Sequence, residues 1–308
     1  MPQKQIQLKR QRDVGEMIST YFDFLKQNFK PFLNIFIRYN GVFILGFLGV
    51  SYLLVTGFVG ALSISEGFAT ESDPTQYYVL VGFGTISFLL LFIITAIFNY
   101  SLAAAYVIRY EQNNGAEVEK VQVWEMVKEN LGKIILFILL MMVLYIGVFI
   151  VGTVFSFIPV IGVLVYYLIV MGYTSWMGLS FMAMINENRD VIDAYSEGWK
   201  LLRTYFWKCI FSNLVIGILL GILMAVVLMI PGILTGIYVF HSINNEVDFF
   251  NSPLANIIWI LSLSLLLILY TMYQALAQFV NGILYFSLHE ETYNEATRKR
   301  IDEIGAGE

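Results

Sequence analysis

The stretch that decides the fold runs from Val123 to Asn188: VWEMVKENLGKIILFILLMMVLYIGVFIVGTVFSFIPVIGVLVYYLIVMGYTSWMGLSFMAMINEN. It opens on an amphipathic stub, VWEMVKENLGK, and then holds no Asp, Glu, Lys, Arg or His across the 53 residues from Ile134 to Asn186. As a single helix those residues would measure about 80 Å against a hydrocarbon core of roughly 30 Å, so the segment doubles back. The fold-back falls at FSFIPVIG, around Pro159 and Gly162. Proline lacks an amide donor and glycine accepts turn geometry, so an apolar run breaks there at least cost. The expected unit is a membrane hairpin with two spanning arms.

The rest of the chain has the same character. Hydrophobic residues make up 58% and charged residues only 13%, with a mean hydropathy of +0.72. Soluble domains carry about a quarter charged residues, so the composition is that of an integral membrane protein. MPQKQIQLKRQRD leads into an amphipathic helix without an apolar core and small-residue cleavage site, so the first membrane helix is expected to act as its own insertion signal. A single cysteine, Cys209, excludes an intrachain disulfide and a cysteine-based metal cage, and is expected to be a small apolar filler.

Charge placement sets the expected topology. All 18 Lys and Arg fall in the N-terminal segment to Arg38, in Arg109 to Lys133, in Arg189 to Lys208 and in Arg298 to Arg300. The remaining connections, Leu62 to Gln76, Phe155 to Gly162 and Gly236 to Pro253, hold none and carry the acids Glu66, Glu71, Asp73, Glu246 and Asp248. The positive-inside rule then predicts six spans with both termini cytoplasmic, in a bacterial inner membrane.

Taken in order, residues 1 to 12 form a basic run that either attracts anionic headgroups or is a solvated topology signal. Val14, Ile18, Tyr21, Leu25 and Phe32 follow helical spacing, which predicts a helix in the inner interface, with Pro31 marking a bend or a fresh start before a first span from Gly41 to Ala61. Span two rises from about Tyr77, and Asn113, Asn114 and Gly115 stop it. After the central hairpin, Ile192, Tyr195, Trp199, Leu202 and Phe206 form one apolar stripe; Asp190 is an N-cap candidate and Glu197 can pair with Lys200. Span five breaks at Met229-Ile-Pro231-Gly232, leaving ILTGIYVF as a shallow re-entrant or interfacial piece. Span six begins near Leu254, and a tail from 292 to 308 is expected to continue as a solvated cytoplasmic helix.

Three stubs align: FDFLKQNFKPF from Phe22, WEMVKENLGKI from Trp124 and WKLLRTYFWKC from Trp199. Phe22, Trp124 and Trp199 correspond, as do Lys26, Lys128 and Arg203, and Phe29, Leu131 and Phe206. The expected fold class is therefore an all-α membrane protein of six transmembrane helices arranged as three hairpins, each preceded by an amphipathic interfacial helix. The chain would be one transmembrane domain with repeat units of about 13–115, 119–188 and 189–291, Phe22, Trp124 and Trp199 serving as interfacial anchors.

WEMVKENLGKI before a hairpin, the turns Ile158-Pro159 and Ile230-Pro231, and DAYSEGWKLLRTYFWK after span four give the chain a resemblance. It resembles a poorly characterised bacterial multi-pass membrane-domain family, named after the membrane region attached to some glycerophosphodiester phosphodiesterases. The similarity covers about Val123 to Val239 and extends weakly to the first hairpin. The resemblance implies an inner-membrane protein without established catalytic residues, and the soluble phosphodiesterase domain has no counterpart in this chain.

The residues point away from enzyme chemistry. No ionisable residue falls in the core of any expected span, as ion-coupled transport generally requires, and no catalytic pair or metal-ligand cluster is legible. Two histidines, His241 and His289, are too few for a carotenoid oxygenase or di-iron desaturase, and His289-Glu290-Glu291 lacks the second histidine of a zinc helix, reading instead as a solvated helix end. Gly217 with Gly221, and Gly232 with Gly236, match a helix-packing spacing that chance also produces.

What remains is a polar stripe. Gln274, Gln278, Asn281 and Tyr285 recur at 4, 3 and 4 on one face of span six, with Asn99 in span two and Thr174 in span four as companions. Amides facing lipid would go unpaired, so the stripe is expected to face the bundle, either as packing glue or as a neutral polar cavity. The expected function is a non-enzymatic inner-membrane scaffold or assembly partner with no cofactor. It would meet membrane lipids and a protein partner at the cytoplasmic face but no nucleic acid, and its oligomeric state is not legible. The alternative is a permease-like or lipid-handling protein.

Overall fold

A computed structural model describes residues 5–65, 73–244, 252–294 and 298. Every element among them is an α-helix: α1 Val14–Ser65, α2 Thr75–Gln112, α3 Lys120–Glu129, α4 Leu131–Ser156, α5 Ile161–Asn186, α6 Val191–Thr204, α7 Phe206–Asn244 and α8 Pro253–Tyr293. Six of them, α1, α2, α4, α5, α7 and α8, are long and apolar enough to cross a membrane. Val143, Ile146 and Ile150 on α4 are exposed, and so are Ile222, Val226 and Ile233 on α7. Water would penalise each such face, whereas hydrocarbon accommodates it. The described residues are all-helical, and the protein is of multi-pass membrane type.

The reversal between α4 and α5 occupies residues 157–160. Val160, and not Gly162, takes the positive φ there, at φ 62° and ψ -61°, the centre of a γ-turn in which the Ile161 amide donates to the Pro159 carbonyl at 2.7 Å. Gly162 is required for space: a Cβ on it would lie 1.9 Å from the Phe155 carbonyl oxygen.

Of the two alternatives at Pro31 the fresh start falls, and the reading at Pro231 is corrected. Pro31 lies inside α1, so the first stub and the first span form one helix of 52 residues with no fresh start between them. Pro231 lies inside α7, so ILTGIYVF continues that helix and is not a separate re-entrant piece. A proline inside a helix costs one hydrogen bond, but ending the helix in an apolar setting would strand several amides and carbonyls. At the end of α2 the expected turn forms, with Asn114 at φ 51° and Gly115 at φ 74°. The acids Glu66, Glu71, Glu246 and Asp248 lie outside the described residues, as does nearly all of the tail from 295 onwards. Asp73 is described, and its carboxylate accepts a hydrogen bond from the Thr75 amide at 2.9 Å, which holds its pKa below the usual value.

By packing, the chain divides into two compact units that alternate along the sequence. Unit 1 takes Met1–Ile35, Asn99–Leu219 and Ala275–Glu308, and unit 2 takes Phe36–Phe98 and Leu220–Gln274. This is a division by contact, whereas the three-part repeat is one of sequence pattern, and neither decides the other. In unit 2, the rings of Phe43 and Phe98 meet edge to face at 5.5 Å and those of Phe92 and Tyr270 stack at 5.4 Å.

Unit 1 has an aromatic core in which Phe24 and Phe32 each contact the rings of Tyr106 and Phe279, which also contact each other; Phe32 to Phe279 is the nearest pair at 4.7 Å. The Tyr106 hydroxyl donates to Asn28 Oδ1 at 2.8 Å, and the Tyr21 hydroxyl to the Leu276 carbonyl at 3.3 Å. A second cluster stacks Phe137 on Tyr195 at 4.7 Å, and the Tyr195 hydroxyl donates to the Phe137 carbonyl. Gly198 lets α6 approach α5 closely, since a Cβ on it would come within 2.6 Å of the Ser180 amide nitrogen.

These contacts redraw the helix faces expected from sequence. On α6 the buried face is Val191, Ala194, Tyr195, Gly198, Leu201 and Leu202, with Ile192 and Trp199 turned outward. The backbone approach at Gly198 sets that rotation, which spacing of the large apolar residues alone would miss. On the first part of α1 the buried residues are Met17, Tyr21, Phe24, Asn28 and Phe32, whereas Val14, Ile18 and Leu25 are only half-buried. Residues 5–12 are not a free basic run either. Leu8 is buried, its backbone amide donates to Glu111, the Ile6 backbone amide donates to the Tyr110 hydroxyl, and the Gln5 side-chain Nε2 donates to the Asn114 carbonyl. Arg12 is buried and donates to the Leu8 and Arg10 carbonyls and to Thr20; burial lowers its pKa, with Arg10 adding to that.

Candidate functional site: a polar ladder along α8

Polar and aromatic groups recur along one side of α8 inside unit 1: Gln278, Asn281, Tyr285, His289 and Tyr293, at intervals of 3, 4, 4 and 4. A helix places such residues one above another. The apolar end of this ladder is amide chemistry. Asn213 of α7 donates to Ser175 Oγ at 3.0 Å and to Asn281 Oδ1 at 3.5 Å, and Asn281 in turn donates to Gln278 Oε1 at 3.0 Å. The Asn281 side chain lies directly over Gly178 of α5, where a Cβ would come within 2.1 Å of its Cγ. Gln278 is fully buried and its Nε2 finds no hydrogen-bond partner among the described residues; the same holds for Ser212 and Ser287 Oγ.

At Tyr285 the ladder changes character and becomes ionic. The Tyr285 hydroxyl donates to Glu187 Oε1 in the α5–α6 connection, and His289 Nε2 lies 3.5 Å from the same oxygen. The other oxygen of Glu187 accepts from Arg189 at 2.6 Å. Arg189 reaches on to Glu197 of α6 at 3.4 Å, Glu197 accepts from the Tyr293 hydroxyl at 2.8 Å, and Lys200 donates to that hydroxyl at 2.6 Å. Lys208 at the start of α7 pairs with Glu291 at 2.6 Å. Burial pulls the Arg189 guanidinium down, but its hydrogen bond to Glu187 and the charges of Glu187 and Glu197 outweigh this and raise its pKa. The Tyr293 hydroxyl likewise raises that of the exposed Lys200.

Two local expectations are corrected here. Glu197 engages Arg189 and Tyr293 in place of Lys200, because the α6 rotation turns it inward to 5% exposure. His289 is not a solvated helix end: it is buried between the rings of Tyr285 and Tyr293 and faces Glu187. Asp190 takes the N-cap position of α6 with extended backbone but no capping hydrogen bond, its carboxylate lying 3.8 Å from Lys133.

The other residues nominated from sequence divide. Asn99 is fully buried, and both its amide atoms find no hydrogen-bond partner among the described residues. Gln274 is half-buried and belongs to unit 2. Thr174 is exposed and returns its hydroxyl to the Met171 carbonyl at 3.0 Å, so it does not join the ladder. Phe22 and Trp199 are exposed, and Trp124 is half-buried.

Sequence reasoning missed Glu187, Arg189, Glu197, His289 and Tyr293. The ladder's continuation was legible, since His289 and Tyr293 follow Tyr285 at the same interval of 4. Their partners come from the connection after α5 and carry no periodic signal. Among the described residues no three of His, Cys, Asp and Glu stand close enough to hold a metal. The acids of the network each accept from a cation or a tyrosine, which suits cross-bracing of helix ends.

No family model matches the chain, and no curated protein or solved structure matches it.

Proposed function

We propose that the protein is a non-enzymatic scaffold or assembly partner in a bacterial cytoplasmic membrane, built as three hairpins each led by an interfacial helix, with both termini cytoplasmic. The reading accords with its sequence resemblance to the membrane-domain family named above. The observation that carries it is the ionic end of the ladder. Glu187, Arg189, Glu197, Tyr285, His289 and Tyr293 brace the α5–α6 connection, α6 and α8 with one another. Breaking a buried ion pair costs on the order of 3 kcal/mol, and less where one partner is solvent-accessible as Arg189 is, so the network favours a preformed surface over a mobile one. Such a surface at the cytoplasmic end of the spans would present α6 to a protein partner.

A second reading, a permease-like or lipid-handling protein, draws on the Gln278 amide nitrogen and the whole Asn99 amide, which find no hydrogen-bond partner among the described residues. Neutral donors and acceptors buried without partners suit a guest with hydroxyl or amide groups. Purification in mild detergent separates the two. A protein retained at fixed stoichiometry supports assembly, and retained lipid or solute in its absence supports handling.

A further inference from the structure

The three aligned stubs all fall in unit 1, and their middle cations share one condition. Lys26 on α1, Lys128 on α3 and Arg203 on α6 are all exposed, and none has an ion pair among the described residues. Each stands four residues after an aromatic ring, Phe22, Trp124 or Trp199, and three before an apolar residue, Phe29, Leu131 or Phe206. Phe22 is 38%, Phe29 40%, Leu131 46% and Trp199 51% exposed, so these four share the cations' outward setting, while Trp124 and Phe206 are half-buried. On α1 this outward face lies opposite the packed face of Tyr21, Phe24, Asn28 and Phe32, which fixes its direction. The N-terminal basic run is committed differently. Arg12 is buried, Arg10 pairs with Glu16 at 3.5 Å, and Lys9 lies over the Phe286 ring.

We propose that the triads Phe22–Lys26–Phe29, Trp124–Lys128–Leu131 and Trp199–Arg203–Phe206 are headgroup sites for anionic phospholipid. The inference rests on the interfacial placement of these helices in the preceding reading and deepens it. In each triad an aromatic ring stands one helical turn before the cation; the apolar residue after it continues the same helix in α1 and opens the next one, α4 or α7, in the other two. A cation so placed between apolar groups is matched to a layer in which phosphodiester and acyl chain lie within a few ångströms of each other. A water-facing surface has no use for the rings, and hydrocarbon has none for the charge. The neighbouring acids rank the three. Asp23 is exposed beside the first triad, Glu125 and Glu129 are exposed beside the second, and near the third Glu197 is turned inward, leaving Asp193 exposed. The α3 site is therefore the weakest.

The test uses the full chain in lipid nanodiscs with spin-labelled phosphatidylglycerol and phosphatidylcholine as probes. The parent chain should immobilise the anionic label preferentially. Lys26→Gln and Arg203→Gln should each lower that preference by up to about fivefold, Lys128→Gln by less, and the triple variant should abolish it. Lys9→Gln with Arg10→Gln should leave it unchanged. Thermal melting in detergent identifies any variant that has lost its fold. Equal immobilisation of both labels by the parent, retention of the preference by a folded triple variant, or its displacement by soluble glycerol phosphate would overturn the proposal. A spin label at Ser196, exposed on α6, in a chain carrying Cys209→Ala, separates the two levels. Headgroup depth with no lipid preference removes the sites alone, whereas an aqueous position removes the interfacial placement beneath them.

Discussion

Asn281 of α8 lies flat against the backbone of Gly178 in α5, with its Cγ, Nδ2 and Oδ1 all within 2.6 Å of where a Cβ on residue 178 would stand. The same amide receives from Asn213 and donates to Gln278, so α5, α7 and α8 meet at one side chain. Gly178→Ala must displace that side chain and break the relay. An expected loss of about 1–3 kcal/mol would lower the melting temperature in detergent. A parent-like melting curve would show that Asn281 yields without cost.

The relay itself separates packing from binding. Gln278→Leu and Asn281→Leu remove hydrogen bonds worth about 0.6–2 kcal/mol each in a membrane interior. If the amides are glue, both variants lose stability in that range. If they line a polar cavity, stability holds or rises while function falls.

Arg189 is the hub of the ionic end, since among the described residues it alone pairs with both Glu187 and Glu197. Its side chain is 33% exposed against 6% for Glu197, so solvent screens part of the loss when it is removed. Arg189→Ala is expected to cost about 1–3 kcal/mol, mostly through the buried Glu197 left without its cation. Glu197→Gln in that background should recover part of the loss, because the uncompensated charge goes with it. Absence of recovery would mean that Arg189 acts by packing alone.

The turn at Pro159 was legible because an uncharged run has a hard length limit in a membrane, and α4 and α5, at 26 residues each, follow it. Helix continuity through Pro31 and Pro231 was not, since the cost of a proline is local while the alternative cost depends on the surroundings of the broken ends. The apolar half of the ladder announced itself as a stripe in α8. Its ionic half was hidden because Glu187 and Arg189 sit in a connection, and because the rotation of α6 follows from Gly198, whose approach to Ser180 no hydrophobic pattern records.

Topology is checked by single cysteines in a chain carrying Cys209→Ala. With both termini cytoplasmic, cysteines replacing Asp73 and Ser252 should react with an impermeant thiol reagent in intact spheroplasts, and one replacing Asn114 should not. Labelling at Asn114 alone would reverse the orientation.

The scaffold account is tested most directly by a photoreactive residue at Asp193, exposed on α6 beside the ionic network, with Val143 in the exposed apolar face of α4 as the comparison. The account predicts one defined protein adduct at position 193 in whole cells, weakened when Arg189→Ala loosens the platform in a chain that remains folded, and lipid adducts alone at position 143. Lipid or solvent adducts alone at position 193, alongside a partner-free protein in mild detergent, would contradict it.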